Sequence, residues 1–569
     1  MTSNAFMSTK ANKGKKSSEL FSLLLKKGGL TLSLLLVLLF FVVPVVRLLW
    51  MSFQVDGTFS FDNYTNILSE QYTWTVIKNT FYIVLGSTAI SLVLGVALAW
   101  FVAYTNIRLK KWMQVFILLP FIIPSYIVTI AWTQFAGDIA WIDINLYSMG
   151  GIIFILGVSH YPLVYLFTVS VLKRIPRELE WAVRTSGGGR FLTFWKVTIP
   201  LALPGIVGGG MIAFLSNLDN FGIPAFLGIP SNITVLSTAI YQEVIGFGNN
   251  AFSRAATFSV LLALFALLAT GVQWFLLRKS KVTETAATDH SPRIQLQKSR
   301  PFVEMCIWVF ILGVSVVPMF SMIKTSLIKT YGLPFIPENI TLHNYNYLLY
   351  DYGKVQDALL NSLQLAGGTM LICLVVGTMI AYVRVRKPSF LSKFLEVAVT
   401  IPYTLPGMVL ALAMIFAWMQ PIPGWNPCIY GSIWILLIAY VTRFMVLQMR
   451  GSSSAITQVS VDLEEAAHIF GANVWTKWRS ILFPLILPGV LSGSILVMLT
   501  ALTELTISSL LWSSGAETIG VIIFNFEQAG YTTYSTAFSV ITLMFMGILA
   551  AMVYGFIYVW QRRVKLNEN

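Results

Sequence analysis

The chain has 569 residues, 56% of them hydrophobic and 11% charged, with a formal net charge of +14. That composition is far too apolar for an ordinary water-soluble domain and places the chain in a bilayer. The positive excess is not the footprint of a nucleic-acid binder, because basic residues alternate between loops in step with the apolar runs.

About 20 apolar residues are needed to cross roughly 30 Å of hydrocarbon, and each half of the chain holds six such runs. They begin near Leu30, Asn79, Trp112, Ile152, Leu201 and Ala255, then near Phe302, Asn361, Phe394, Gly431, Pro488 and Ser535. Without water to satisfy the backbone such runs are helices, and the short alternating segments of an outer-membrane barrel are missing from the sequence. The expected fold is an all-α polytopic membrane protein of about 12 transmembrane helices, arranged as two parallel six-helix repeats.

In chain order, residues 1–29 form a basic segment containing Lys10 to Lys27. The run from Leu30 to Met51 is longer than a signal-peptide core and lacks a small-residue cleavage pattern after it, so an uncleaved first helix is expected. The first repeat covers 30–278, a polar linker 279–300, the second repeat 301–562 and a tail 563–569. Basic residues recur at Arg108, Lys110 and Lys111, then from Lys173 to Lys196, Arg278 to Arg300, Arg384 to Lys393, Arg450 to Arg479 and Arg562 to Lys565, all on one face. Arg47, Lys78, Arg254, Lys324, Lys329 and Lys354 are scattered exceptions among the more acidic loops. The positive-inside rule puts both termini and the linker in the cytoplasm.

Self-similarity extends through both halves: Asn63-Tyr64 echoes Asn344-Tyr345, Asn79 echoes Asn361, and Gly95 echoes Gly377. Pro120 and Pro124 echo Pro402 and Pro406, at matching depth in the third helices. Either they simply kink those helices or the paired kinks line a constriction of a pathway. Asp219 and Glu504 fall near the outer ends of the fifth helices, where an ionised carboxylate is costly unless solvated or paired. A place beside a cation path and a partner at the helix end both fit. His160 is the one intramembrane candidate for proton work, with a hydrogen bond to a neighbouring helix as the plainer reading. Cys306, Cys373 and Cys428 are scattered and give neither a disulfide framework nor a metal-binding spacing, and no directly bound metal or cofactor is expected.

One loop occurs twice, between the fourth and fifth helices of each half. Asp462-Leu463-Glu464-Glu465-Ala466-Ala467, Gly471, Ile481 to Pro484 and Pro488-Gly489 align without a gap on Glu178-Leu179-Glu180-Trp181-Ala182-Val183, Gly187, Val197 to Pro200 and Pro204-Gly205. The pattern predicts a short helix with acidic residues at its positive end, a glycine turn, and a second short helix ended by proline at entry into the membrane. A rigid helix-turn-helix projecting twice from one face is more than a connection requires, and it predicts that each copy docks on a copy of the same partner.

At every spacing, Glu465-Ala466-Ala467, Gly471 and Ile481 to Pro484 resemble the EAA loop of ATP-binding-cassette importer permeases, and the resemblance covers both halves. It implies a type I permease fold in which each loop seats in a groove of an ATPase subunit. The docking residues would be Glu180, Ala182, Gly187 and Pro200 in the first loop, and Glu464, Glu465, Ala466, Ala467, Gly471 and Pro484 in the second. The first copy departs from the pattern, with Trp181 for the Glu and Val183 for the second Ala. No GxxxxGK[ST] phosphate loop occurs, so ATP would be used by two separate partner subunits and this chain would catalyse no covalent chemistry.

The fused two-half form resembles the ferric-iron permeases supplied by periplasmic iron-binding proteins. Asp219 to Gly228 with Thr238 and Tyr241, and Glu504-Leu505-Thr506 through Leu511 with Glu517-Thr518, carry that likeness. Permeases for aminoethylphosphonate, thiamine, polyamines and some sugar phosphates share it more weakly. A twelve-helix secondary transporter is the competing class, but Thr105 to Lys111 lacks that class's Gly-Asp-Arg pattern and the twice-repeated loop would go unexplained.

Overall fold

The computed structural model describes residues 34–55, 58–139, 144–246, 248, 250–278, 289, 291–419, 426 and 429–567. The basic N-terminal segment, Cys428 and half of the linker, residues 279–288 and 290, lie outside the described residues.

Ten continuous helices among the described residues are long and apolar enough to cross a membrane. The first half supplies Leu34–Ser52, Gln71–Tyr104, Met149–Leu172, Arg190–Asp219 and Ala251–Leu277. The second supplies Gln297–Ser326, Gly353–Arg386, Ile433–Thr457, Val474–Leu502 and Thr532–Met552. The third helix of each half is a bent pair, Lys110–Ile122 with Ser125–Asp138 at 100° and Phe390–Thr404 with Gly407–Trp418 at 111°. Counting each pair as one span gives twelve, six per half.

The proline pairs do more than kink their spans. A residue ahead of proline is pushed out of the helical region, and Ile123 and Leu405 are extended at ψ 131° and 141°. Pro124 and Pro406 then start new helices, while Pro120 and Pro402 stay inside the preceding ones. Each third span is thus two half-helices, the second of which begins deep in the protein.

The prolines of the repeated loops behave in the opposite way. Pro484 and Pro488 are expected to end the second short helix, yet in both loops that helix runs on into the fifth span as Arg190–Asp219 and Val474–Leu502, with Pro204 and Pro488 inside it. A wide turn precedes Pro200 and Pro484: the Ile199 amide bonds to the Phe194 carbonyl and the Phe483 amide to the Trp478 carbonyl, five residues back. Widening the turn relieves the clash of the ring with the carbonyl four residues earlier, so the chain continues without a break.

Close packing depends on small residues where helices cross. A side chain at Gly95 would meet Val164 Cβ at 2.6 Å, and one at Gly377 would meet Gln448 Cγ at 3.0 Å. The two halves embrace each other: the first span of each packs on the broken third span of the other. Two basic residues that break the charge pattern serve this contact. Arg47 donates to the Phe416 carbonyl at 3.1 Å, at the negative end of Gly407–Trp418. Lys324 pairs with Asp138 at the end of Ser125–Asp138. The Asn-Tyr echoes fold a loop back on the end of the first span, with Asn63 and Asn344 donating to the Ser52 and Ser326 carbonyls at 3.1 and 2.9 Å.

Candidate functional site

The repeated loops form helices Arg177–Thr185 and Val461–Ile469. Gly187 and Gly471 follow them at φ +83° and +75°, where an L side chain would be strained. The amides of Gly188 and Ala472 close the helix ends on the Val183 and Ala467 carbonyls at 2.8 and 2.9 Å.

The acidic residue shared by both loops points inward. Glu464 is buried and receives Arg386 Nε at 2.6 Å, Lys477 Nζ at 3.0 Å and the Tyr382 hydroxyl at 2.9 Å. Burial alone would push its carboxyl up, but the hydrogen bonds from Lys477, Tyr382 and Arg386 outweigh burial and hold it below the usual range. Glu180 is buried too, with Arg293 Nη1 at 2.9 Å and the Tyr104 hydroxyl at 2.7 Å. Of the two loop carboxylates following Leu463, only Glu465 faces solvent, and Trp181 occupies that outward place in the first copy. Ala182 and Ala466 lie beside them toward the surface, whereas Ala467 is buried.

Around these helices the protein exposes apolar side chains that a solvated loop would avoid. In the second loop Ile469, Phe470, Val474 and Trp475 are 81%, 88%, 73% and 72% exposed. In the first, Phe191 and Trp181 dominate the patch at 77% and 54%.

A second feature lies between the halves, a cavity of about 630 Å³. Pro120, Pro124 and Tyr126 line it from the first half, and Arg443, Glu504 and Thr506 from the second. Pro402 and Pro406 lie outside the wall, but Gly407, next to Pro406, donates its amide to Asp219. Asp219 also receives Arg443 Nη2 at 2.5 Å, an ion pair joining the end of one fifth span to the opposite fourth span. Glu504 accepts the Ile507 amide at 2.9 Å, as Asn220 accepts the Ile223 amide at 2.9 Å, so Glu504 corresponds to Asn220 and not to Asp219. His160 bonds to Asn217 Oδ1 at 2.7 Å on the neighbouring span, which accounts for it without proton transfer.

Sequence reasoning passed over Arg443, Arg293 and Arg386. Arg443 carried a usable signal, since an arginine inside an apolar span is functional by default. The other two were hidden in charge runs that the positive-inside rule already explained. Among the described residues no group of three or more His, Cys, Asp or Glu is placed to hold a metal ion.

The family described as binding-protein-dependent transport system inner membrane component matches twice, over residues 91–281 and 373–566. A ferric transport system permease protein of Actinobacillus pleuropneumoniae is 26% identical over 92% of this chain and 77% of its own length. An Fe(3+)-transport system permease protein of Haemophilus influenzae is 25% identical over 83% of this chain and 88% of its own. A 2-aminoethylphosphonate transport system permease protein of Salmonella typhimurium, named as putative, is 26% identical over 37% of this chain and 79% of its own.

Proposed function

We propose, from the premise that this chain belongs to the family of binding-protein-dependent transport system inner membrane components, in fused two-half form, that it forms the path for ferric iron through an ATP-binding-cassette importer. The iron is delivered by a periplasmic or extracellular binding protein. Two copies of an ATPase subunit drive the cycle, one seated on each repeated loop. Both termini and the linker face the cytoplasm, as the distribution of Lys and Arg supports.

The observation that carries the docking reading is the pair of matched helix-turn-helix loops, each with its shared glutamate fixed inward and apolar side chains left outward. Closure of the ATPase pair would move each half as a rigid body about the central cavity. Pro120, Pro124 and Glu504 are the cargo-facing residues of that cavity, with Asp219 behind Arg443. Two features support iron over aminoethylphosphonate. Similarity to permeases named for ferric transport extends over most of the chain. Arg443, the guanidinium in the wall, has its charge offset by Asp219, which weakens its pull on a phosphonate anion.

The test is uptake of radiolabelled ferric iron in cells lacking the chain, with and without its restoration, alongside aminoethylphosphonate. Restored, ATP-dependent iron uptake supports the assignment, and restored phosphonate uptake alone overturns the cargo. Gly471→Pro and Glu465→Lys should abolish ATPase co-purification while leaving membrane insertion intact. Normal co-purification of both would sink the docking assignment.

A further inference from the structure

The two loop helices are held by the same chemistry, supplied from different parts of the chain. In the second half the guanidinium is that of Arg386, the last residue of the 34-residue helix Gly353–Arg386. It bridges Glu464 at 2.6 Å and the Val459 carbonyl at 2.7 Å, tying the loop helix to the strand of chain that leads into it. The equally long helix Gln71–Tyr104 ends in the first half on Tyr104, which cannot form an ion pair. There Arg293 fills the place. Its Nη1 lies 2.9 Å from Glu180 Oε1 and its Nη2 donates to the Ile175 carbonyl. Ile175 and Val459 stand five residues before Glu180 and Glu464, so the two guanidinium groups bridge equivalent atoms.

Arg293 does not belong to the first repeat. It comes from the linker, whose described residues from Asp289 to Arg293 are fastened to this loop and to the helix end beside it. The Arg293 and Ile294 amides both donate to the Tyr104 carbonyl, at 2.9 and 2.8 Å, and the Asp289 amide donates to the Lys173 carbonyl at 2.8 Å. Arg177, at the start of the loop helix, reaches back to Asp289 at 2.5 Å and to the Ser291 hydroxyl at 2.6 Å. The Arg293 guanidinium also lies over the Tyr104 ring, 4.7 Å from its centroid.

We propose that the linker is a working part of the first docking site, with Arg293 as its positioning residue. The second site is self-sufficient. The first is completed only by the chain that leads into the second half's first span, Gln297–Ser326, so displacement of that span is transmitted to one loop and not the other. This inference rests on the reading of both loops as ATPase docking sites, and its test is separable from that reading.

The test is amide hydrogen exchange of the full chain in lipid nanodiscs without any ATPase. Breaking one partner of a buried ion pair is strongly destabilising, so Arg293→Ala should speed exchange in residues 177–185 by about tenfold or more and leave 461–469 unchanged. Arg386→Ala should do the reverse. Arg293→Lys keeps the charge but cannot bridge two acceptors with one planar group, and should fall between. The decisive variant is the double Tyr104→Arg with Arg293→Ala, which moves the arginine to the helix end as in the second half. It should restore protection of 177–185 to within about twofold of the parent, an outcome that general loosening would not produce. Unchanged exchange in Arg293→Ala, equal loosening of both loops, or failure of the double variant to recover would each overturn the proposal. ATPase co-purification is scored separately. If the parent chain retains no ATPase, the docking reading fails while the exchange result still decides the linker's role.

Discussion

Arg443→Met tests whether the halves are joined by a specific ionic contact. Arg443 Nη2 lies 2.5 Å from Asp219 Oδ2, and the arginine side chain is 11% exposed against 31% for the aspartate. Removing one partner of a buried pair typically costs about 3–5 kcal/mol, because the other charge is left uncompensated. Here the lower end applies, about 3 kcal/mol, since Asp219 keeps the Gly407 amide and some solvent. That corresponds to roughly a hundredfold change in the folding equilibrium. Asp219→Asn should cost a similar amount by stranding the guanidinium. The double variant Asp219→Asn with Arg443→Met should recover about 2 kcal/mol relative to the sum of the singles, the signature of a coupled pair. The assay is equilibrium unfolding in dodecyl maltoside and dodecyl sulfate mixtures, followed by tryptophan fluorescence. Additive single effects would refute the coupling, and a neutral Arg443→Met would refute the burial argument itself.

Phe470→Ser and Trp475→Ser should leave the unfolding midpoint unchanged and lower ATPase retention on co-purification by about tenfold each, since exposed aromatic anchors carry interface energy but not fold energy. Gly95→Val places carbon 2.6 Å from Val164 Cβ, and by overpacking should cost about 1–3 kcal/mol in the same unfolding assay, whereas Gly367→Val, with open space around it, should be near neutral. The linker contact should persist deep into acid. The Ser291 hydroxyl and amide and Arg177 hold Asp289 at about 2 against the opposing effect of burial, with the hydroxyl the largest cause. A depressed carboxyl contributes stability above its unfolded value near 3.8 and loses it as pH falls through about 2. Protease resistance around Asp289 and Ser291 should therefore hold at pH 4 and weaken only well below it.

Most of the fold was legible because a membrane leaves few choices. Apolar length and the alternation of Lys and Arg mark the twelve spans, though the fifth of each half begins more than ten residues before its expected start, and the Asn63 and Asn344 echoes reflect a real shared fold-back. Proline was harder to read, since its effect depends on what precedes it. Pro124 and Pro406 follow extended residues and break their spans, while Pro200 and Pro484 follow a widened turn and do not. The loops were legible as a repeated pattern but not as a surface. Nothing in the spacing distinguishes inward Glu464 from outward Glu465, because that depends on where Arg386 and Lys477 stand in space. Arg293 was beyond reach for the same reason: its partner Glu180 is more than a hundred residues away, in the first repeat.

The pairing of Asp219 with Arg443 has no mirror image. At the corresponding places the first half carries Ser159 and the second Thr503, both uncharged. A permease assembled from two identical subunits gains or loses such contacts two at a time, because each residue of one subunit is repeated in the other. Joining the halves in one chain permits a single ion pair between them, a contact that two-fold symmetry would have to make twice.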